Sequence, residues 1–265
     1  LSACGYAFAA RQASGGGVAW GRKEDGGEIP EPISLMRDIL AVSGNGYAFC
    51  ALRRDGSLVA WGNPSMGATL PQPIPALRDV VRVIGNLYAF AALRANGSVV
   101  AWGHQSNGGN VPAAIAALTD IVDIVANDYA FAALRANGEV VAWGSSFSGG
   151  SVPAAIGVIT DIIELSATQR AFAARRSNGS VVAWGYSTYG ASVPAPIAAL
   201  TDIRTVTGHY ASFVALLSSG RVVGWGNLAI PASVAALTDI VQVVSGGVAF
   251  AALRANGTVV AWGAA

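Results

Sequence analysis

The sequence predicts an all-β protein, a seven-bladed β-propeller of about 41-residue repeats with mostly three-stranded blades. Three observations support this fold class: a recurring Trp-Gly pair, a short hairpin turn before each pair, and a strand before that turn that is apolar on both faces. Successive Trp residues lie 41 residues apart five times and then 37. A fixed period of about 40 residues indicates a propeller, solenoid or array of one supersecondary unit. The seven Trp residues are Trp20, Trp61, Trp102, Trp143, Trp184, Trp225 and Trp262.

The repeat runs through the whole chain, so we expect a single domain at residues 1–265. Hydrophobic residues make up 53% and charged residues 12%, and with 33 Gly and 11 Pro this composition is typical of a packed β protein with many turns. No apolar run approaches the roughly 20 residues that cross a bilayer, so we expect no membrane insertion. The net charge of +1 gives no reason to expect nucleic acid as a partner. Cys4 and Cys50 have neither metal nor redox spacing, and buried thiols are favoured over a disulfide.

Within one repeat, three strands are expected. In a representative copy they are residues 119–126, 129–135 and 140–143. The first is rich in β-branched residues, and Asn137-Gly138 is expected to supply the positive backbone angles of a tight hairpin turn between the other two. The segment 152–156 (Val-Pro-Ala-Ala-Ile) is expected to be a short outer strand or an extended crossing segment, since Pro is tolerated only at a sheet edge.

The middle strand has no polar face, because Tyr129, Phe131 and Ala133 point to one side while the residues between them are also apolar. Both faces must therefore be covered. Radially stacked small sheets satisfy this requirement. A linear β-solenoid is the competing arrangement, but its coils usually repeat at shorter periods and lack a hairpin in each.

Strand direction sorts the loops between two ends of the predicted ring. The hairpin turns and the Asp that opens each first strand share one end, where the repeats agree. The loops after each Trp-Gly pair and the turns between first and second strands share the other end, called here the variable end because the repeats differ there. Its loops begin at Arg22, Asn63, His104, Ser145, Tyr186 and Asn227.

The first blade is expected to lack most of its inner strand. The chain has seven hairpins but only six preceding strands, and residues 1–4 correspond to the tail of a seventh. We therefore expect residues of a longer chain to complete this blade. The chain opens with Leu1 and has no signal-peptide pattern, so we expect it to be processed or part of a longer protein. The six strands begin at Asp38, Asp79, Asp120, Asp161, Asp202 and Asp239.

A residue present in every repeat is most simply one that every blade needs. We expect each Trp to fill the space between blades and to donate its indole N–H to a backbone acceptor. Each Asp is expected to accept hydrogen bonds from nearby N–H groups where the crossing chain enters the strand. The Arg that ends most middle strands is expected to be a solvated edge charge. These are Arg53, Arg94, Arg135, Arg176 and Arg254.

Catalysis is poorly supported, and we expect a protein without enzymatic activity, cofactor or metal. The two histidines, His104 and His209, lie about two and a half repeats apart, without the nearby nucleophile or metal ligand that such chemistry needs. Gly15–Gly17 is a degenerate hairpin turn, not a phosphate-binding loop. Glu24-Asp25, next to Arg22-Lys23, is expected to be a solvated, self-neutralised loop. A site assembled across the propeller axis is the enzymatic alternative.

The variable end is richest in aromatic side chains in repeats four to six, where the loop after Trp225 is also four residues shorter than its sisters. Aromatic side chains on loops are typical of protein-binding surfaces. One or two of them are expected to tuck into the channel mouth. The candidates for partner binding are Phe147, Tyr186, Tyr189, His209 and Tyr210, together with His104 on the same end.

The segment Leu93–Gly103, Leu-Arg-Ala-Asn-Gly-Ser-Val-Val-Ala-Trp-Gly, resembles the repeat of the regulator-of-chromosome-condensation family, whose members are seven-bladed propellers. The resemblance spans the whole chain. Compact repeats and a Gly-Gly-x-Val-Pro loop look more like the bacterial beta-lactamase inhibitory protein II branch than the eukaryotic exchange-factor branch. In the inhibitor branch, binding relies on aromatic side chains on one loop face, which implies such a role here for Phe147, Tyr186, Tyr189 and Tyr210. We expect a secreted or cell-surface bacterial protein.

The first hypothesis for function is therefore a non-enzymatic propeller that binds a protein through its variable end, either free-standing and inhibitor-like or as a module of a larger bacterial protein. The second is a lectin-like propeller with one shallow sugar pocket per blade. Such pockets would recur from repeat to repeat, whereas the variable loops differ almost everywhere. The third is a purely structural module of a secreted or toxin-like protein.

Overall fold

A computed structural model describes residues 1–246 and 249–263. It contains seven three-stranded antiparallel sheets, and in each sheet the strands lie in chain order. This arrangement confirms the predicted all-β, seven-bladed propeller of three-stranded blades. No helix in the described residues is long and apolar enough to cross a membrane.

The sheets are numbered blade 1 to blade 7 in chain order, and each contributes a first, a middle and a last strand. In blades 1 to 4 the strands are Ser2–Ala3, Ala7–Arg11 and Gly17–Gly21; Ile39–Gly44, Ala48–Arg53 and Leu58–Gly62; Val80–Gly85, Ala89–Arg94 and Val99–Gly103; Ile121–Ala126, Ala130–Arg135 and Val140–Gly144. In blades 5 to 7 they are Ile162–Ala167, Ala171–Arg176 and Val181–Gly185; Ile203–His209, Ser212–Leu217 and Val222–Gly226; Ile240–Gly246, Ala249–Arg254 and Val259–Gly263.

The chain divides into two compact units. The first comprises Leu1–Phe131 and Trp143–Ser145, and the second comprises Ala132–Ala142 and Ser146–Ala265. The single-domain interpretation stays a prediction. So does the completion of blade 1 by further residues; its first strand here has two residues.

The segments between blades are helical, not extended, so the expectation of an outer strand or extended crossing at residues 152–156 is wrong. Pro153 has a φ of −59° and stands just before the helical turn Ala154–Gly157. Proline at this position gives up no hydrogen bond, because the first N–H groups of a helix have no intrahelical partner. The α-helical turns are Glu31–Ser34, Ala113–Ala116, Ala154–Gly157, Ala195–Ala198 and Ala232–Ala235, and Ile74–Ala76 is a 3₁₀ turn.

A second set of short helices follows the Trp-Gly pairs at the variable end. Each is a 3₁₀ turn of three residues, and a glycine of positive φ comes directly after it, such as Gly67 at +108° and Gly190 at +94°. The turns are Lys23–Asp25, Pro64–Met66, Gln105–Asn107, Ser146–Ser148 and Ser187–Tyr189. They give the variable loops a regular backbone although their sequences differ.

The hairpin turns differ from the expected form in one respect. Gly138 has a positive φ of +80°, but Asn137 does not. Asn137 Oδ1 instead accepts a hydrogen bond from the Glu139 N–H, at 3.0 Å, and the Gly138 N–H donates to the Arg135 carbonyl, at 3.0 Å. A turn that ends in one left-handed glycine is the common three-residue hairpin loop, and Asn favours it through its side-chain acceptor.

Five of the repeated Trp residues have the predicted structural role, namely Trp61, Trp102, Trp143, Trp184 and Trp225. In the first unit, Trp102 is 1% exposed, and its indole N–H donates to the Gly67 carbonyl at 2.9 Å. In the second unit, Trp225 donates to the Gly190 carbonyl at 2.9 Å. Each Trp also lies close to the Phe of its own blade, and Phe90 stacks on Trp102 at 5.4 Å between ring centroids. Trp20 of blade 1 differs, since it is 48% exposed. Trp262 of blade 7 is buried, but its indole N–H makes no hydrogen bond within the described residues.

Four of the repeated Asp residues pair with a repeated Arg, so the interpretation of these Arg residues as solvated edge charges is wrong. The pairs are Asp38–Arg53, Asp79–Arg94, Asp161–Arg176 and Asp239–Arg254. Arg53 reaches both carboxylate oxygens of Asp38, at 3.1 and 2.7 Å. Arg176 contacts Asp161 in the same way, at 2.7 and 3.1 Å. Both members of such a pair are about two-thirds buried. The Asp therefore accepts from a guanidinium 15 residues later, which sequence periodicity does not reveal.

The cysteines are free thiols in the structure. Cys50 is fully buried, and burial raises the pKa of its thiol. Cys4 donates its S–H to the Asp25 carbonyl at 3.4 Å.

Two hairpin glycines of the second unit form a matched pair for mutation. Gly179 and Gly257 have φ of +78° and +82°. A Cβ on Gly179 would lie 2.2 Å from the Thr201 carbonyl oxygen, whereas nothing among the described residues lies within 4 Å of one on Gly257.

We expect Gly257→Ala to cost only the left-handed backbone penalty, about 1–2 kcal/mol. Gly179→Ala should cost about 1–3 kcal/mol more, because the Thr201 backbone must move. Urea unfolding of the two variants measures the difference. Equal losses would contradict the close approach at Gly179.

Candidate protein-binding surface

The variable loops and the turns between first and middle strands meet within each unit, as predicted from strand direction. In the first unit, Asn45 Oδ1 accepts from the N–H groups of Tyr47 and Ala48, both at 2.8 Å, and Asn45 Nδ2 donates to the Met66 carbonyl at 2.5 Å. In the second unit, Thr168 Oγ1 donates to the Tyr189 carbonyl at 2.8 Å. One side chain in the turn thus fixes the loop that follows the last strand of the same blade.

Neighbouring turns are also joined through their backbones. In the first unit, the Gly5 N–H donates to the Gly46 carbonyl at 2.9 Å, and the Gly46 N–H donates to the Leu87 carbonyl at 3.0 Å. In the second unit, the Gln169 N–H donates to the Tyr210 carbonyl at 2.8 Å. The side chains on these turns are therefore presented from a hydrogen-bonded backbone.

Three of the candidate residues form one aromatic cluster in the second unit. The Tyr186 and Tyr189 ring centroids lie 5.7 Å apart, and those of Tyr189 and Tyr210 lie 6.1 Å apart. The Arg170 guanidinium carbon lies 5.5 Å from the Tyr189 ring centroid, within cation–π distance. Tyr186 is 41% and Tyr210 is 46% exposed. We call these four residues the tyrosine cluster.

Tyr210 lies in an unusual turn. His209 pairs directly with Ser212, so Tyr210 and Ala211 alone connect the two strands of blade 6. Tyr210 has a φ of +44°, the one positive value among the described residues other than glycine. A bulky side chain is strained in this backbone conformation, and such strain is typical of functional sites.

The other three candidates are separate from the tyrosine cluster. Phe147 is 80% exposed on the turn Ser146–Ser148. His104 is exposed in the first unit, where its ring lies 6.1 Å from Tyr88. His209 is partly buried against Phe250, with ring centroids 6.1 Å apart, and desolvation lowers the pKa of its imidazole. His209 thus ends the first strand of blade 6 and packs inward, and it does not lie at the tip of a loop.

Sequence reasoning missed a second set of rings, a tyrosine row in the first unit. The ring centroids of Tyr6 and Tyr47 lie 6.5 Å apart, those of Tyr47 and Tyr88 5.9 Å, and those of Tyr88 and Tyr129 5.7 Å. The Arg22 guanidinium carbon lies 5.5 Å from the Tyr6 ring centroid. Tyr129 was expected inside the middle strand, but that strand begins at Ala130 and Tyr129 belongs to the turn. A Tyr directly before the middle strand of the first four repeats was the available signal. The row is Tyr6, Tyr47, Tyr88 and Tyr129.

The acidic pair of the first loop is only partly solvated, contrary to expectation. Glu24 is exposed, but Asp25 is 3% exposed and its Oδ2 lies 3.5 Å from Arg22 Nε. The 3₁₀ turn Lys23–Asp25 directs one carboxylate inward and one outward. Among the described residues no group of three or more His, Cys, Asp or Glu side chains is arranged to hold a metal ion.

Residues 121–149 match the regulator of chromosome condensation (RCC1) repeat. This match, together with the seven three-stranded sheets, supports a propeller whose repeats resemble the RCC1 repeat. Its similarity to the inhibitor branch stays a prediction. The chain matches no curated protein sequence.

Several solved structures share the fold. The ectodomain of the Physcomitrella patens receptor kinase CR4 has 17% identity and a TM-score of 0.57; the match covers 85% of this chain and 64% of that one. The CRINKLY WD40 ectodomain of the Arabidopsis thaliana receptor kinase ACR4 has 16% identity and a TM-score of 0.57, with 97% and 92% covered. Prp20p from Saccharomyces cerevisiae has 14% identity and a TM-score of 0.54, with 85% and 70% covered. The chain therefore spans somewhat less than two thirds of the length of the moss ectodomain.

Proposed function

We propose that this chain is a non-enzymatic protein-interaction module that binds a protein partner through its variable end. The observation that carries the proposal is the tyrosine cluster, in which rings from two loops and one guanidinium form a single partly exposed surface. Tyr and Arg are among the residues that most often dominate the binding energy of protein interfaces.

The backbone beneath the cluster supports this proposal. Tyr189 is held through its carbonyl by Thr168, and Tyr210 is held through its carbonyl by the Gln169 N–H. A surface that is already ordered loses little conformational entropy on binding, so more of the contact energy appears as affinity. Tyr also offers a large contact area with few rotatable bonds.

The likeness to Prp20p supports protein recognition by this fold in general. Prp20p binds Gsp1p and histones, and Kap60 is bound to it in another crystal structure. We extend only the class of partner, a protein, to this chain. We propose that this chain is itself either an inhibitor-like protein or a binding module of a larger bacterial protein.

Site-specific cross-linking tests the proposal. A benzophenone amino acid at position 186 should give a discrete adduct with one protein in extracts of the source cells, because this side chain is expected at the interface. The same group at position 158, where Val158 is 76% exposed on the linker after blade 4, is the matched control. Adducts of equal yield at both positions would contradict the proposal. Binding to a glycan array without any protein adduct would also contradict it and would favour the lectin alternative.

A further inference from the structure

The short loop after Trp225 leaves an opening in the second unit. From Trp225 to Pro231 there are six steps along the chain, whereas from Trp184 to Pro194 there are ten. The sister loop after Trp184 contains the 3₁₀ turn Ser187–Tyr189 followed by Gly190. The loop of blade 6, which the structure describes throughout, has no such turn.

The missing turn has a defined task in the other blades, where two successive carbonyls accept two hydrogen bonds. In the second unit, the Tyr189 carbonyl accepts from Thr168 Oγ1 at 2.8 Å and the Gly190 carbonyl accepts from Trp225 Nε1 at 2.9 Å. The first unit shows the same scheme twice. Its carbonyl pairs are Met66 with Gly67, which accept from Asn45 and Trp102, and Asn107 with Gly108, which accept from Asn86 and Trp143.

The two donors that would bind the missing turn are present but have no partner in the described part of the chain. His209 stands at the position of Thr168, and Trp262 at the position of Trp225. His209 Nε2 and Trp262 Nε1 are both buried, and neither makes a hydrogen bond within the described residues. Trp262 is only 7% exposed. A buried polar group without a hydrogen bond is destabilising, so each nitrogen favours an occupant that supplies its partner.

A cavity of about 130 Å³ lies beside His209, and Tyr210, Asn227, Leu228 and Phe250 are also among its walls. Trp262 does not line this cavity but stacks on Phe250, with ring centroids 5.7 Å apart. An apolar cavity of about 150 Å³ accommodates benzene, so this one has room for roughly two peptide units. The short loop is itself fixed, because the Leu228 N–H donates to Ser212 Oγ at 2.7 Å and the Asn227 N–H donates to the Ala211 carbonyl at 3.0 Å.

We propose that this cavity is a socket for a glycine-containing turn of the protein partner, which supplies the two successive carbonyls that the shortened loop lacks. The inference deepens the proposed function and rests on it in one respect: the turn is carried by a protein. The carbonyl before the glycine accepts from His209 Nε2–H, and the glycine carbonyl accepts from Trp262 Nε1–H.

The sister blades also explain why the occupant carries glycine. A Cβ on Gly190 would lie 2.7 Å from Cδ2 of Phe213, and one on Gly67 would lie 2.7 Å from Cδ2 of Phe90. Phe250 is the equivalent of Phe213 and Phe90 in blade 7, and it lines the socket. Leu228 lines the cavity and packs on the cluster that contains Phe250 and Trp262, so an entering turn displaces its side chain.

The test uses a peptide copied from the sister loop, the head-to-tail cyclised residues 186–192 (Tyr-Ser-Thr-Tyr-Gly-Ala-Ser). The Trp262 indole N–H resonance of the whole chain, assigned with Trp262→Phe, is followed by NMR as peptide is added. We expect this resonance to move downfield and to saturate. A peptide with Ala in place of its Gly should bind about tenfold more weakly or not at all, because its Cβ meets the Phe250 ring.

Variants of the chain separate the socket from a general surface effect. His209→Leu should weaken the peptide about 3- to 10-fold through loss of one hydrogen bond, and His209→Asn should restore it, since Asn serves at this position in blades 2 and 3. Leu228→Ala should strengthen binding by opening the cavity. Replacement of Asn227–Ile230 by residues 186–193 should abolish binding, because the grafted turn fills the socket.

An unmoved Trp262 resonance at millimolar peptide, or an equal response in the grafted variant, overturns the proposal. Its failure is distinguishable from that of the proposed function. If the peptide binds but changes in the tyrosine cluster leave partner affinity intact, the socket stands and the cluster assignment falls. If the cluster governs partner affinity but the peptide leaves Trp262 unchanged, the socket falls alone.

Discussion

Combined replacement of Tyr186 and Tyr189 by alanine should weaken the affinity for the cross-linked partner by about 3 kcal/mol, roughly 100-fold. Both rings belong to one cluster, and Tyr189 also lies close to the Arg170 guanidinium and the Tyr210 ring. Truncation removes two large, pre-oriented contact surfaces and the contacts that Tyr210 and Arg170 make with the Tyr189 ring. Because the rings touch each other, the double variant should lose less than the sum of the single variants.

The affinity of the purified partner, measured by calorimetry, decides this prediction. Tyr186→Phe with Tyr189→Phe retains the rings and should keep most of the affinity. Val158→Ala, an exposed change in the same unit, should leave it unaltered. Circular dichroism and urea unfolding verify that the fold is unchanged. An alanine double variant that binds as tightly as the original chain would remove the tyrosine cluster from the interface.

Replacement of Trp184 by alanine should lower the free energy of unfolding of the second unit by about 3–5 kcal/mol. Trp184 is 2% exposed, its ring centroid lies 5.4 Å from that of Phe172, and its indole N–H donates to the Gly149 carbonyl at 2.9 Å. Alanine leaves a cavity between sheets and removes the donor from a buried carbonyl. Urea unfolding, followed by far-UV circular dichroism, measures the loss.

A comparison of phenylalanine variants isolates the hydrogen bond. Trp184→Phe keeps a ring but loses the donor to Gly149, which should add about 1–3 kcal/mol to the cost of the smaller ring. Trp262→Phe makes a similar change in volume, but its indole N–H has no partner in the described residues. Trp184→Phe should therefore be the more destabilising of the two. Equal costs would contradict the assigned role of the indole N–H in the repeat.

The sequence was sufficient for the fold class because seven copies carry the same information. The Trp-Gly spacing, the glycine turn and the two-faced middle strand each recur, and together they exclude most alternatives to a propeller of three-stranded blades. Strand direction then placed Tyr186 and Tyr210 at one end of their unit. The existence of an aromatic surface was thus predictable. It was not predictable that Arg170 belongs to this surface or that Phe147 and His209 lie apart from it.

Contacts between residues distant in sequence were not predictable in the same way. The ion pair of Arg53 with Asp38 depends on how a middle strand lies beside its first strand. From the sequence alone, each of these charged side chains is equally compatible with exposure to solvent. The helical turn after Pro153 was hidden because proline is compatible with an extended edge as well as with a helix start. Tyr129 was placed in the wrong element by one residue, which was enough to conceal the tyrosine row.

The sequence by itself determined the repeat, the blade and the end of the blade where the copies differ, because these are properties of local pattern and chain direction. Only the tertiary structure decided which loops touch, and thereby that His209 and Trp262 are donors without acceptors among the described residues. The shorter loop after Trp225 was visible in the sequence, but its meaning was not. The shorter loop leaves a cavity and two donors without acceptors because the rest of the fold holds His209 and Trp262 in place.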